Sequence, residues 1–422
     1  MLKIVENEVG REEGYMLDEL AREGARRMLV SALEEEVAAY VERHAEARDA
    51  DGRRLVVRNG QARARGITCG AGTLEVRAPR VNDRRVDEEG ERCRFTSRLL
   101  PPYMRRSPKV AEVLPVLYLR GLSTGDFRRA LETLLGEEAA GLSATNIARL
   151  TGVWEEEYRQ FCKRSLKDSD YVYVWAEGVH FNVRLEDERL CTLVLIGARA
   201  DGQKELIAIE DGYRESAESW KTVLRNLKQR GLQAPVLAVG DGALGFWEAV
   251  REVWPQTREQ RDWCHKIANV LDKLPKRLQG RAKRTLHEIM YAETRAEAER
   301  GIEAFVVEFS PKYEKAVDCL LKDREALLAF FEFPAEHWKH LRTSNPIESS
   351  FATVRLRQRV TKGAGSRAKA LTMAFKLLML AQERWRKLNG LHLLPLVRAG
   401  IPFADGVQIE RRDEKDNRKK AA

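Results

Sequence analysis

Tyr171-Val172-Tyr173-Val174-Trp175-Ala176-Glu177-Gly178 is a run of aromatic and β-branched residues broken by one carboxylate. Side chains of this kind pack well on a pleated surface, so Tyr171 to Leu185 is predicted as a strand, interrupted only at Glu177-Gly178. Leu190 to Ala198 repeats the pattern, Asp201-Gly202 supplies a hairpin turn, and Glu205 to Ile209 reads as a third strand. The period then changes. Ser216 to Gln229 places Trp220, Val223, Leu224 and Leu227 on one helical face. Val236 to Val239 is a short buried strand, Leu244 to Val253 a helix, and Gln260 to Cys264 a fifth strand. Three strands joined by hairpins, followed by strands that alternate with helices, define an α/β domain.

Upstream, Leu17, Leu20, Met28, Leu29, Leu33, Val37 and Tyr40 recur at helical spacing, giving a helical segment over 1–47. Residues 48–107 alternate around Leu74-Glu75-Val76-Arg77 and carry Asn59-Gly60, Gly66, Gly70 and Gly72, which predicts a small β element. It is rich in arginine, as a DNA-contacting surface or a solvated charged one would be. Residues 108–165 read as short helices: Val110 to Leu119, Phe127 to Leu135, and a third capped by Ser143. A helix-turn-helix-like module and a plain helical connector both fit. Downstream, 266–340 is almost wholly helical, Ile347 opens another helix, and 404–422 ends in a mixed charge run.

With 422 residues, the chain exceeds a single small core. Its 74 Lys+Arg against 65 Asp+Glu leave a net charge of +9, a balance suited to a polyanionic partner. Six cysteines are scattered with no C-x-x-C pair, which points to reduced thiols and a cytoplasmic location. No apolar run is long enough to span a bilayer, so no membrane partner is expected.

Three carboxylates stand in distinctive frames: Glu177, Asp241 in Val-Gly-Asp-Gly-Ala, and Glu348 in Ser-Asn-Pro-Ile-Glu-Ser. Asp241 follows an apolar strand and precedes a glycine, so its carboxylate stands at the sheet's carboxyl edge, where open sheets place ligands. Carboxylates brought together in this way are what two Mg²⁺ ions need for phosphoryl transfer on nucleic acid. Asp262-Trp263-Cys264-His265 adds a histidine beside a carboxylate, suited to contacting phosphate or packing at a strand-to-helix junction. Zinc held by Cys264 and His265 is disfavoured, because neighbours on one strand face opposite ways. After Glu348 come Arg355, Arg357, Arg359, Lys362 and Arg367, with no acidic residue until Glu383, as a DNA-backbone contact or a solvated face.

The frames at 171–185, 190–220, 239–247, 262–275 and 344–356, with Pro101-Pro102-Tyr103, resemble the prokaryotic Mutator-type insertion-sequence transposases of the DDE class over nearly the whole chain. The resemblance implies a ribonuclease-H-like catalytic core (166–265 and 341–403), an all-helical insertion (266–340) and N-terminal DNA-binding elements. It maps the second aspartate to Asp241, the glutamate to Glu348, and the aspartate form of a further Cys/Asp-x-x-His feature to Asp262 and His265. Where the family carries Asp-Gly, this chain has Glu177-Gly178, with Glu177 as first ligand. The implied activity is Mg²⁺-dependent cleavage and strand transfer of DNA by two ions, with Mn²⁺ as a substitute. Its partners are the terminal inverted repeats and target DNA, bound by a homodimer or larger assembly. The alternative is a transposase-derived DNA-binding protein in which Glu177 has weakened or abolished cleavage.

Overall fold

The computed structural model describes residues 8–119, 144–183, 190–212, 216–242, 244–361 and 366–409. The chain divides into two units, Met1–Gly152 and Val153–Ala422. In the first, α1 (Glu8–Arg43) lays Leu29, Val30 and Leu33 on Ile67, Leu74 and Val76. Those three belong to β2 (Arg65–Cys69) and β3 (Gly72–Val76), an antiparallel hairpin. Around it, β1 (Val56–Gln61) pairs antiparallel with β4 (Pro79–Asp83). The β element expected between residues 48 and 107 is therefore two nested ribbons. Helices α2 (Pro108–Leu119) and α3 (Ala144–Lys163) follow. The predicted helix at Phe127 to Leu135 and the Ser143 cap lie outside the described residues.

The second unit is built on a five-stranded mixed sheet. In chain order its strands are β5 (Tyr171–Phe181), β6 (Leu190–Arg199), β7 (Lys204–Gly212), β8 (Leu237–Gly240) and β9 (Arg258–Arg261). Across the sheet they run β7-β6-β5-β8-β9, with β5 at the centre. The first three are antiparallel, and β8 and β9 add in parallel. Helices α4 (Ala217–Gln229) and α5 (Leu244–Val253) cross over between strands and pack together. Trp220, Leu224, Phe246 and Val250 bury against Val174, Ala176, Leu195 and Ala238 on one face.

Alternation along β5 sends Tyr173, Trp175 and Glu177 to the other face. There Tyr173 Oη meets His337 Nδ1 at 2.7 Å, and Trp175 Nε1 donates to the His340 carbonyl at 2.9 Å. These contacts tie the helical segment to the sheet. That segment comprises α6 (Trp263–Leu271), α7 (Lys276–Met290) and α8 (Arg295–Leu321), the last broken at Tyr313 just after Pro311. Next come α9 (Asn345–Thr361), which packs on β5 and β6, and α10 (Arg367–Gln382), which packs on β7.

Two expectations change. Glu177-Gly178 does not interrupt β5, because Glu177 pairs with Val194 and Gly178 with Leu193 on β6. What ends there is the parallel ladder to β8, whose last register pair is Ala176 with Gly240. The fifth strand also stops at Arg261, not Cys264. Asp262 takes the N-cap of α6, its carboxylate accepting from the His265 amide at 2.7 Å, and the chain turns helical at Trp263. Among the described residues no helix is long and apolar enough to cross a membrane.

Candidate active site

The site begins where β5 and β8 part. Asp241 follows the last paired residue of β8, one step beyond the Ala176–Gly240 register, but it is not among the residues whose ligand atoms gather most closely. The turn needs glycine next: Gly242 has φ +84°, and a Cβ there would sit 2.3 Å from the Arg261 guanidinium. Glu348 arrives in the first turn of α9. His265 comes from the first turn of α6, which Asp262 orients.

One ligand atom each from Glu177, His265 and Glu348 lies within 4.8 Å of the other two. His265 Nε2 is 3.9 Å from Glu348 Oε1. Asp262 is fully buried. It accepts from His265 Nδ1 at 3.1 Å and from the Ser344 amide, so it fixes both the ring and the segment leading into α9. Burial alone would lift the Asp262 carboxyl, but these hydrogen bonds outweigh it and hold its pKa below the ordinary value. The same hydrogen bond raises His265 to about 9 against the opposing effect of burial, with Asp241 and Glu177 adding to the rise. His265 is therefore a cation at neutral pH.

Glu177 is 6% exposed, and its Oε2 is buried with no hydrogen-bond partner among the described residues. Burial pushes its carboxyl up to about 7. Glu348 and Asp241 add to this, while His265 and Arg355 oppose it. Arg355 Nη2 is 3.8 Å from Glu177 Oε1. That contact was legible in the spacing, since Glu348 and Arg355 are seven residues apart and share a face of α9. From sequence, Arg355 was expected on a DNA-backbone contact or a solvated face, not beside Glu177.

The other expected contacts are placed less centrally. Arg367 forms a two-pronged ion pair with Asp211, at 3.1 and 2.8 Å. Arg357 and Arg359 lie on α9, but their side chains, like Lys362, are outside the described residues. Cys264 is exposed and sits with His265 on a helix, so the opposite-face argument against zinc does not apply; the cluster that contains His265 includes no thiol.

The donor set fits a hard divalent cation. Glu177 and Glu348 offer carboxylate oxygens, one of them a buried atom with no hydrogen-bond partner among the described residues, and Mg²⁺ and Mn²⁺ favour oxygen ligands. His265 adds an imidazole to the two carboxylates, and Asp262 fixes the orientation of its ring.

The profile of the family described as "Transposase, Mutator family" matches residues 3–387, and the chain belongs to that family. It is 57% identical over 302 residues to the transposase for insertion sequence element IS6120 of Mycolicibacterium smegmatis, a match covering 72% of this chain and 93% of that protein. It is 46% identical over 281 residues to the transposase for IST2 of Acidithiobacillus ferrooxidans, covering 66% and 95%. With the transposase for IS256 in transposon Tn4001 of Staphylococcus aureus the identity is 25% over 327 residues, covering 76% and 80%.

Proposed function

We propose that the chain is the transposase of a bacterial insertion sequence, cutting the element's ends and joining them to target DNA by Mg²⁺-dependent phosphoryl transfer. The observation that carries this reading is the convergence of Glu177, His265 and Glu348, which lie on three elements far apart in sequence. The β7-β6-β5-β8-β9 order, with β5 central, supports a ribonuclease-H-like core. On this reading 266–340 is its helical insertion, and 1–165 holds the end-binding elements. Two ends must be handled together, so a homodimer is the smallest working assembly.

Glu177, Asp241 and Glu348 would hold the cations. The chemistry supplied by bound Mg²⁺ is charge neutralisation at the phosphoryl oxygens and acidification of the attacking water or 3′-hydroxyl. The remaining work belongs to the chain. Imidazolium His265, locked by Asp262, presents a positive edge to the non-bridging oxygens of the scissile phosphate. Arg355 balances Glu177 and offers a cation to the backbone of the strand.

A second reading, DNA binding with little or no cleavage, is favoured by Glu177 itself. Glutamate carries its oxygens one methylene further than aspartate, about 1.5 Å, and sites of this kind tolerate displacements of about 0.5 Å. The test is cleavage of duplexes carrying the terminal repeats, with and without Mg²⁺. Glu177→Asp raises strand cleavage if glutamate is a working but overlong ligand, and Glu177→Ala abolishes it while leaving DNA binding intact. Wild type and Glu177→Asp both inert, with binding retained, would establish the second reading.

A further inference from the structure

Arg342 is a cation that the fold buries without a counter-ion among the described residues. The residue is 8% exposed, and its Nε has no hydrogen-bond partner among the described residues. The guanidinium rests instead against three rings. Its Cζ is 4.7 Å from the Phe330 centroid, 5.2 Å from Tyr291 and 5.2 Å from Trp338. Stacking of this kind orients a guanidinium but does not neutralise it. Burial lowers the pKa of Arg342 to about 10, with Tyr291 opposing, and this still leaves it charged at neutral pH. A planar fork of N–H donors held rigid on aromatic faces suits a phosphate, which accepts two parallel hydrogen bonds and supplies the missing charge.

Its place in the fold adds to this. The Arg342 carbonyl accepts from the Trp263 amide at 2.9 Å, at the start of the helix that bears His265. Two residues on, Ser344 is fully buried. Its amide donates to Asp262, and its hydroxyl has no partner among the described residues. Glu348 follows within one turn of α9. A backbone hydrogen bond thus ties Arg342 to α6, and the chain leads directly from it through Ser344 into α9. Tyr291 is 60% exposed, so the stack around the guanidinium reaches the surface.

We propose that Arg342 is a positioning residue that grips a backbone phosphate of the bound DNA strand, next to the phosphate being cut. The inference rests on the reading of the chain as a DNA-cleaving transposase. It adds a subsite that fixes the register of the strand across Glu177, Glu348 and His265.

The test uses the full chain, duplexes carrying the terminal repeat that borders the coding region, and the neutral variants Arg342→Met and Arg342→Gln. Loss of one charge-assisted phosphate contact weakens binding by about 10- to 100-fold and makes the slope of log affinity against log salt shallower by about 0.9. The thermal midpoint of Arg342→Met stays level or rises, because an unpaired buried charge has gone. Replacing single phosphates of the duplex by neutral methylphosphonates should locate one linkage beside the cut whose loss weakens wild type and not the variants. Wild-type affinity and salt slope in a variant of lowered stability would show that the stack is architectural, and would overturn the proposal. If neither variant folds, the methylphosphonate series on wild type decides, and no sensitive linkage near the cut overturns it. Wild type that binds none of the duplexes fails at an earlier point, because it removes the transposase reading itself.

Discussion

In the N-terminal unit, Asp83 closes β4 with its side chain 1% exposed; in the sheet of the second unit, Glu177 is buried almost as deeply, at 8%. Their surroundings differ in kind. Tyr40 Oη donates to Asp83 at 2.7 Å, while the Arg85 guanidinium meets both of its oxygens, at 3.0 and 2.8 Å, and the Arg85 amide adds a fourth contact at 3.0 Å. Burial would raise the Asp83 carboxyl, but these donors overcome it and bring its pKa to about 2. Glu177 has one oxygen without a partner, an arginine no closer than 3.8 Å and a pKa of about 7. Hydrogen bonds to the charged form, and the like charges near Glu177, separate the two cases. A buried carboxylate whose donors are all supplied holds a fold together. One left open, beside Glu348 and His265, is what the proposed metal site requires.

The largest expected effect breaks the comparison by function. Glu348→Ala should reduce Mg²⁺-dependent cleavage on the order of 10³-fold, the scale of removing one charge-stabilising group. Glu348 is part-exposed at 36%, so its loss should move stability by no more than about 0.5 kcal/mol. Asp83→Asn should do the reverse, lowering stability while leaving the cleavage rate of the folded protein unchanged. Parallel cleavage and denaturation measurements on both variants check the pair. Equal effects on both readouts would erase the distinction.

Asp262 sharpens it, being buried, satisfied and inside the site. Asp262→Ala removes the N-cap of α6, the partner of His265 Nδ1 and the acceptor for Ser344. Breaking such a buried pair costs about 3–5 kcal/mol, to be read from denaturant midpoints. The His265 ring should then titrate well below its present value of about 9, because the main cause of that elevation is gone. The sign follows from linkage. A histidine raised on folding stabilises fully below its unfolded pKa, and that contribution is lost as pH rises through about 9. Wild type should therefore lose part of its advantage over Asp262→Ala in alkaline solution.

Much of this was legible before the coordinates. The succession of strands along the chain, the two crossover helices and the acidic frames all follow from short-range pattern, because period and turn chemistry are local properties. What escaped depends on which ladder ends where. Glu177-Gly178 read as a break in a strand, whereas the strand continues and its parallel neighbour ends. Asp262 read as strand, although an aspartate three residues before His265, ahead of Trp263, Ile267 and Val270, carries an N-cap signature. Arg342 gave no signal at all. What marks it out is a stack on Tyr291, Phe330 and Trp338 with no ion pair among the described residues, and only the packing brings those rings together.

The smallest effect is also the most direct test of the contrast, because the two carboxylates should respond to neutralisation with opposite signs. Glu177 has its pKa raised from 4.5 to about 7, so its charge opposes folding. That penalty is absent below about pH 4.5 and complete above about pH 7. Glu177→Gln should therefore be more stable than wild type by about 1–3 kcal/mol at pH 8, the range for a buried group without a partner, and no more stable near pH 4.5. Asp83 has its pKa lowered from 3.8 to about 2, so its stabilisation is present above about 3.8 and lost as pH falls through 2. Asp83→Asn should accordingly be less stable at pH 8 and at pH 5 alike. Mg²⁺ separates them further. A cation that binds only the folded chain stabilises it by mass action, so adding Mg²⁺ should raise the melting temperature of wild type and of Asp83→Asn but leave Glu177→Gln nearly unmoved. A Glu177→Gln variant that melts lower than wild type at pH 8 without metal would mean that the open oxygen is satisfied in solution, and the contrast between the two carboxylates would fall.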